Sequence, residues 1–450
     1  MEYLRLAEEL AERASGGDVE AEVIIMHSRT TMIRVNAGEV LEMSAADSKG
    51  VGVRAIKGGR MGYAYTSDFE PPTLDLTLSS AAALADSSDP DEFRALPGMK
   101  RDLVENQDLE VFDPELSERS PEDKVAFILA AERAALDHDP RVVASSYCSY
   151  HDHTTRMFLA NSHGFAGSHE STGVVAYLRA VARDDGGQAA GLGLGCSIFY
   201  RDVDAEIVGC EAAGKAVQLL GGRPVKTQRA PVIMGPFAGV EFLSFVANAL
   251  TAESIQRGRS FLMGKLGEKI ASAPVNLVDD GRLLRGFGSA PFDGEGVPTS
   301  RTSLVAGGAL EQLLYDTYTA RRDGTASTGN AQRSSYRGLP YPAPTNLCLL
   351  PSSRRVDELI SSVDTGLYVT GTMNTGGINP VNGDYSVGAS GLWVEKGEFV
   401  GPVTGVTVAG NMLEMLHNVV DVADDLRFIP ISDSIGAPTM LVQGMTIGGT

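Results

Sequence analysis

The sequence predicts an α+β protein in which helices flank antiparallel strands. Residues 4–14 carry apolar side chains at helical spacing, and from residue 21 apolar and polar residues alternate, as in half-buried strands. Strand-like segments follow one another directly, whereas a parallel sheet would need a helix between them. The 51 glycines among 450 residues indicate many tight turns. We therefore expect N-terminal helix–antiparallel meander–helix units followed by a β-rich, glycine-rich C-terminal domain.

The first unit is predicted to be a helix, an antiparallel meander and a second helix. The first helix ends at Gly16-Gly17, which suits a C-terminal cap. Asn36-Ala37-Gly38 and Gly58-Gly59 supply positive φ for tight hairpins, and the second helix is expected from about Leu74 to Ala85. Between the helices we expect five short strands: Ala21–Arg29, Thr31–Asn36, Val40–Asp47, Gly50–Lys57 and Arg60–Thr66.

A second unit of the same kind is predicted after an acidic segment. Ser120-Pro121-Glu122-Asp123 marks a helix start, because serine caps free N–H groups and acidic residues suit the helix dipole. Strands are expected between residues 142 and 200, and a helix over Asp204–Leu220. We place the main boundary after this helix. Residues 1–222 then form an N-terminal α+β domain, divisible into about 1–115 and 116–222, and residues 223–450 form the C-terminal domain.

The C-terminal domain is predicted to open with a buried strand, Ala230–Gly235, and a mostly apolar helix from about Phe237 to Ala252. The remainder is predicted to consist mainly of strands and turns. Helices are expected at three places within it: Gly308–Ala320, Arg354–Ile360 and Asn411–Asn418.

Charge and hydropathy argue against two classes of partner. The chain has 38 Lys and Arg against 58 Asp and Glu, a formal net charge of −20, whereas a duplex-binding surface needs clustered cations. It has no run of 18 apolar residues and no basic, then apolar, secretory start. The four cysteines are far apart, as in a protein with reduced thiols. We therefore expect a cytoplasmic protein that binds neither nucleic acid nor membrane.

Two local patterns are candidates for binding chemistry. His151 and His153 lie two residues apart on a predicted strand, so both imidazoles face one side and could meet one metal ion. The alternative is an ordinary polar strand face, since the pair lacks the fixed spacing of a third ligand. The glycine-rich stretch 371–389 would let another backbone approach closely, as when an extended peptide adds a strand. Sheet architecture alone also explains that stretch.

Several segments of the C-terminal half form a recognisable set: Phe261–Glu268, Ala290–Val297, Gly383–Ala389, Val394–Glu398, Pro402-Val403 and Ala409–Asn411. Together these segments resemble those of the TldD/PmbA family, and the helix–meander start of this chain fits the family's N-terminal domain. The resemblance spans the whole chain and is strongest from about residue 230. Members of this family have been called modulators of gyrase and are treated as peptidase subunits.

Catalytic members of that family carry His-Glu-x-x-x-His on the helix after the first strand of this domain, and a cysteine near the C-terminus. Two imidazoles and a thiolate hold Zn²⁺ with an open position, and the glutamate takes a proton from the metal-bound water. In this chain the corresponding residues are Leu243, Ser244 and Asn248, and Ser432 stands where the cysteine would be. The resemblance thus implies a non-catalytic, TldE/PmbA-type member with no catalytic residue, metal or other cofactor of its own.

The resemblance implies a subunit that pairs with a TldD-like metallopeptidase and encloses a chamber with it, in which extended peptides or unfolded segments are cleaved. Asn374, Asp384, Tyr385 and Ser386 are expected near the shared cavity, and a homodimer is expected when the partner is missing. Two alternatives stay open: an independent metal-dependent hydrolase that uses the histidine pair, and a non-enzymatic regulatory binding protein. The net charge argues against a regulator that contacts DNA.

Overall fold

The computed structural model describes residues 2–98, 106–373, 375–430 and 433–449. The chain begins with α1 (Glu2–Ala14), β1 (Val19–Asn36), β2 (Glu39–Lys57), β3 (Arg60–Thr66) and α2 (Pro71–Ser87). The two predicted hairpins are confirmed: Ala37 and Gly38 have φ of 53° and 79°, and Gly58 and Gly59 have φ of 55° and 75°.

The prediction of five short strands in this unit is wrong, because β1 and β2 run without interruption. They pair from Val19↔Lys57 to Asn36↔Glu39, with one register shift after Arg34. The predicted breaks at residue 30 and at residues 48–49 lie inside this ladder. Backbone hydrogen bonds between strands do not depend on side-chain polarity, so the ladder continues through them.

The second unit joins the same sheet as the first. It contains α3 (Asn106–Leu109), α4 (Pro121–His138), β4 (Val142–Asn161), β5 (Ala166–Asp184), β6 (Gly187–Ser197) and α5 (Ala205–Gln218), with 3₁₀ turns at Pro114–Glu118 and Tyr200–Asp202. The strand order is β3-β2-β1-β4-β5-β6, and all neighbours are antiparallel. We call these six strands the N-terminal sheet. The predicted start of α4 is confirmed by a capping box, in which Ser120 and Asp123 bond reciprocally at 3.1 Å.

The C-terminal half contains two further six-stranded sheets. It begins with β7 (Gln228–Met234), α6 (Pro236–Ala249) and α7 (Ala252–Gln256). The elements that follow are β8 (Leu277–Asp280), β9 (Arg301–Ala306), β10 (Ala309–Leu310), α8 (Thr317–Arg322), β11 (Ala331–Gln332), β12 (Tyr341–Pro342), β13 (Asn346–Leu349), α9 (Val356–Ser361), β14 (Thr365–Met373), β15 (Asp384–Glu395), β16 (Glu398–Asn411), α10 (Met412–His417), β17 (Val419–Val422), β18 (Arg427–Pro430), β19 (Ser434–Ala437) and β20 (Met440–Gly448), with a 3₁₀ turn at Thr375–Gly377.

The order of the β8 sheet is β10-β9-β8-β13-β19-β18, and that of the β7 sheet is β16-β15-β14-β7-β20-β17. An additional β16–β20 pairing closes five strands of the β7 sheet on themselves. Strands β11 and β12 form a separate pair. The α+β class predicted from the sequence is confirmed.

One helix prediction in this half is wrong. Residues 308–320 hold β10, an extended segment and only the start of α8. Gly307 and Gly308 have φ of 55° and 86° and make the turn between β9 and β10, and helix α8 begins later because the Asp316 side chain caps its first turn.

Helix α6 packs between the two C-terminal sheets, against β14 of one and β19 of the other. Its apolar residues share one core cluster with residues of both sheets, such as Val232 of β7 and Leu347 of β13. None of the helices among the described residues combines the length and apolar character needed to cross a bilayer.

Candidate functional site

Helix α6 presents one accessible stripe of side chains on an otherwise buried element. The helix begins with proline at its first turn and contains 14 residues. The residues that keep some exposure after Pro236 recur at helical spacing, which places them along one side of the helix. They are Phe237, Glu241, Ser244, Phe245 and Asn248.

The three motif positions on this helix do not face a common point. Leu243 is 1% exposed and lies in the core cluster, whereas Asn248 is exposed and accepts a hydrogen bond from the Ser254 hydroxyl at 3.1 Å. Residues five apart on a regular α-helix point about 140° apart, which accounts for this difference. Ser244 lies between them and donates its hydroxyl to the backbone oxygen of Glu241 at 2.7 Å. Ser432 lies outside the described residues.

Glu241 is the chemically distinctive group of the stripe. It is half-buried, and its carboxylate accepts a hydrogen bond from the hydroxyl of Thr372 on β14. Burial raises the pKa of the Glu241 carboxyl to about 7, because the hydrogen bond from Thr372 offsets only part of the desolvation. Glu241 was not predicted as a site residue from the sequence. The one feature that could have identified it is that it is the one acidic residue in the apolar segment 236–249.

A groove of about 610 Å³ lies on β4 and β5. Tyr147 and Tyr177 line it with ring centroids 5.4 Å apart in an edge-on arrangement. Burial raises the pKa of Tyr177, with a smaller contribution from the Glu241 carboxylate. Val175 and Tyr177 of the groove pack against the same core cluster as Phe237 of α6. The groove and the accessible stripe of α6 therefore border one shared core.

The histidine pair on β4 is partly buried. His151 lines the groove, whereas His153 lies next to Gly173 of β5, where an added Cβ would stand 2.4 Å from its ring. Burial lowers the pKa of both imidazoles, so they are neutral at pH 7. Within the described ranges, no three His, Cys, Asp or Glu side chains converge as a group that could hold a metal ion.

Comparison with known proteins places this geometry in a family. Three family models match in succession: PmbA/TldA metallopeptidase domain 1 over residues 21–85, the central domain over 114–220 and the C-terminal domain over 227–449. The chain is 30% identical over 446 residues to Metalloprotease PmbA of Escherichia coli O157:H7, which covers 97% of this chain and 94% of that protein. The chain belongs to the PmbA/TldD family.

Two solved structures related to the family share the whole fold. One, from Thermotoga maritima, is named a modulator of a DNA gyrase and superposes with a TM-score of 0.90 at 26% identity, covering 99% of this chain and 100% of that one. The other is TldE from Thermococcus kodakarensis, with a TM-score of 0.87 at 25% identity, covering 100% of this chain and 99% of that one. The family recognised from the sequence segments is thus confirmed.

The glycine-rich stretch that was predicted to contact a peptide has its own hydrogen bonds. Asp384 accepts bonds from Asn411 and Asn382 at 2.9 and 2.8 Å, and Tyr385 is buried with its ring edge-on to Phe242 at 5.1 Å. Ser386 is exposed on β15, and Asn374 lies outside the described residues. Contact between these four residues and a peptide in this PmbA/TldD-family chain stays a prediction.

Proposed function

We propose that this chain is a cytoplasmic subunit without a peptidase centre of its own, which pairs with a TldD-like metallopeptidase to cleave extended peptides. The observation that carries the proposal is the burial of Leu243, where catalytic members resembling this chain have their first zinc-binding histidine. An aliphatic side chain in the core offers no ligand, and Ser244 and Asn248 are neutral groups engaged with α6 and α7. The similarity to a protein named TldE agrees with this role.

In this proposal the groove and the stripe of α6 form this subunit's share of the wall that contacts the peptide. Aromatic side chains such as Tyr147 and Tyr177 contact apolar peptide side chains at low entropic cost, because they have few rotatable bonds. Glu241 and Ser149 supply polar groups there, and the Ser149 hydroxyl is buried without a partner among the described residues. Mostly apolar walls with few polar groups are typical of ligand sites.

The first test reconstitutes the pair. The purified chain alone is expected to leave a fluorogenic unfolded peptide intact, and addition of a TldD-like subunit is expected to give cleavage that a zinc chelator abolishes. Light scattering is expected to show a homodimer of the chain alone and a heterodimer of the mixture. As a control, the chain is purified under denaturing conditions and refolded, which removes any bound partner. Chelator-sensitive cleavage by this preparation would contradict the proposal.

The second test probes the wall. Tyr177→Ala in the reconstituted pair is expected to raise KM for the peptide about 10-fold and to change kcat little, because contacts between aromatic side chains contribute about 0.5–1.5 kcal/mol beyond the area that they bury. Tyr65→Ala is the matched control, since Tyr65 is 53% exposed on β3. Equal effects of the two changes, or none, would show that the groove does not bind the peptide.

A further inference from the structure

A second cavity, of about 380 Å³, lies where the N-terminal sheet meets the C-terminal half. Its lining comes from β2 and β3, from Arg94 and Ala95, from α7 and α8, and from the segment 339–341. A buried ion network crosses the same boundary, since Arg54 of β2 bonds to Glu295 at 2.9 Å and to Glu22 at 2.7 Å. The cavity is therefore built from elements that are far apart in the chain and held together by buried charges.

The wall that carries Arg94 is fixed in place. Asp91 donates its backbone N–H to Gly59 at 2.9 Å and accepts a hydrogen bond from the Tyr318 hydroxyl of α8 at 2.8 Å. Arg321 of the same helix bonds to the backbone oxygen of Glu92 at 3.2 Å. These bonds hold segment 91–95 against α8, so the cavity does not depend on a free loop.

Arg94 is a half-buried cation without an ion-pair partner in the described ranges. No carboxylate there lies within 4.0 Å of its guanidinium. Asp91 acts on it only through space, because the Asp91 oxygens accept bonds from Tyr318 and from the backbone of Phe93. The other arginines of the cavity are paired, Arg257 with Glu253 at 2.7 Å and Arg54 with Glu295. In a chain of net charge −20, an unpaired arginine in a cavity suits an anionic ligand.

Arg54 also lines the cavity, but its guanidinium is not free to bind a ligand. Two of its nitrogens are bonded to Glu295 and Glu22. Its Nε–H has no hydrogen-bond partner among the described residues and is itself buried. We therefore assign the anionic group of a ligand to Arg94.

The remaining lining decides the size and charge of the ligand. Ile56, Met61 and Ala95 form an apolar wall on one side, and Leu339 and Pro340 form another. Glu295 and Asp316 also border the cavity, and their carboxyls disfavour a multiply charged anion such as phosphate. A ligand with one carboxylate at Arg94 and an apolar group beside it suits both the apolar walls and the acidic residues of the lining. A cavity of this volume is typical of small-ligand sites.

We propose that this cavity binds an α-carboxylate that carries an apolar side chain, with the carboxylate at Arg94 and the side chain between Met61 and Leu339. The C-terminus of an apolar peptide and a free apolar amino acid share this chemistry. The site is separate from the groove and α6 stripe, and it does not rest on the function proposed for them.

Isothermal titration of the full chain tests the site with three probes: an N-acetylated tripeptide that ends in leucine with a free carboxylate, the same tripeptide as its C-terminal amide, and free leucine. The acid tripeptide is expected to bind at least about 10-fold more tightly than the amide, since hydrogen bonds to charged groups contribute about 1.5–3 kcal/mol. Binding of the tripeptide but not of leucine identifies a peptide C-terminus as the source, and the reverse identifies the amino acid.

Three substitutions in the cavity and one control substitution test whether the probes bind at Arg94. Arg94→Ala is expected to weaken the acid probe about 10-fold and to leave the amide unchanged, and Arg94→Lys is expected to restore part of the affinity. Arg5→Ala removes one exposed positive charge from α1 and is expected to change neither probe. Leu339→Asp, at a side chain that is 38% exposed, is expected to abolish binding without unfolding the chain. The proposal fails if no probe binds, if acid and amide bind equally, or if Arg5→Ala weakens binding as much as Arg94→Ala.

Discussion

The burial of Leu243 makes a quantitative prediction about the substitution Leu243→His. The leucine side chain is 1% exposed and lies in the same apolar cluster as Phe242 and Val246. Removing it from the core forfeits about 1.5–3 kcal/mol of hydrophobic stabilisation. The imidazole would leave an N–H and a ring nitrogen without partners there, at about 1–3 kcal/mol. We therefore expect the free energy of unfolding to fall by about 3–5 kcal/mol, a large part of the total for a typical domain.

The pH dependence of the free energy of unfolding shows whether a buried neutral imidazole causes that loss. A histidine in an apolar core stays neutral, so its folded-state pKa lies below the unfolded value of about 6.5. The unfolded chain then binds the extra proton, and stability falls further by up to about 1.4 kcal/mol for each pH unit below 6.5. Urea unfolding between pH 5 and 8, monitored by circular dichroism, measures both effects. Leu243→Met is the matched control, with an expected loss below about 1.5 kcal/mol and no added pH slope.

Zinc binding by a triple variant tests whether α6 lacks a working metal site. The triple change Leu243→His, Ser244→Glu and Asn248→His supplies two imidazoles and a carboxylate, but the first and last positions point in different directions on the regular helix. We expect weak zinc binding, no recovery of the lost stability and no peptide cleavage, with or without Ser432→Cys. Recovery of wild-type stability by stoichiometric zinc, or chelator-sensitive cleavage by the triple variant, would refute the reasoning.

Three further predictions concern single side chains. Because the Glu241 carboxyl has a pKa of about 7 in the folded chain against 4.5 ordinarily, its charging should cost up to about 3 kcal/mol of stability as pH rises from 4.5 to 7, and Glu241→Gln should remove that slope in urea unfolding. Arg54→Met leaves Glu295 buried without its ion pair, although Glu22 keeps its bond to Arg333, and should lower stability by about 3–5 kcal/mol, whereas Arg5→Met should change it by less than about 0.5 kcal/mol. Ser120→Ala removes the α4 cap and should cost about 1 kcal/mol by thermal unfolding, with Ser120→Asp restoring it.

Sequence reasoning succeeded where structure depends on neighbouring residues. The capping box at Ser120 and the hairpin at Gly58-Gly59 follow from local hydrogen bonding and from the φ range that glycine tolerates. The apolar run after residue 236 predicted a buried helix, which the structure places between two sheets. The family, too, was recognisable because its segments are contiguous in the chain.

The wrong predictions concern segments whose secondary structure depends on strand pairing with distant parts of the chain. A break between two strands was predicted at residue 30, yet β1 is held on both sides by ladders to β2 and β4. The helix predicted over Gly308–Ala320 is interrupted because this segment turns back to pair with β9 and then bonds to the backbone of Leu250 and Ala252. Strand pairs between distant segments are not encoded in any one window of sequence.

By itself, the sequence determined the α+β class, the family and local features such as the start of α4. Only the tertiary structure decided that Leu243 points into the core while Glu241 keeps some exposure and bonds to Thr372, and that Arg94 lies in a cavity between distant segments with no ion-pair partner among the described residues. The physical reason is that burial and charge pairing are properties of the folded surroundings. A residue's identity states which interactions it can make, and the packing around it decides which of them it does make.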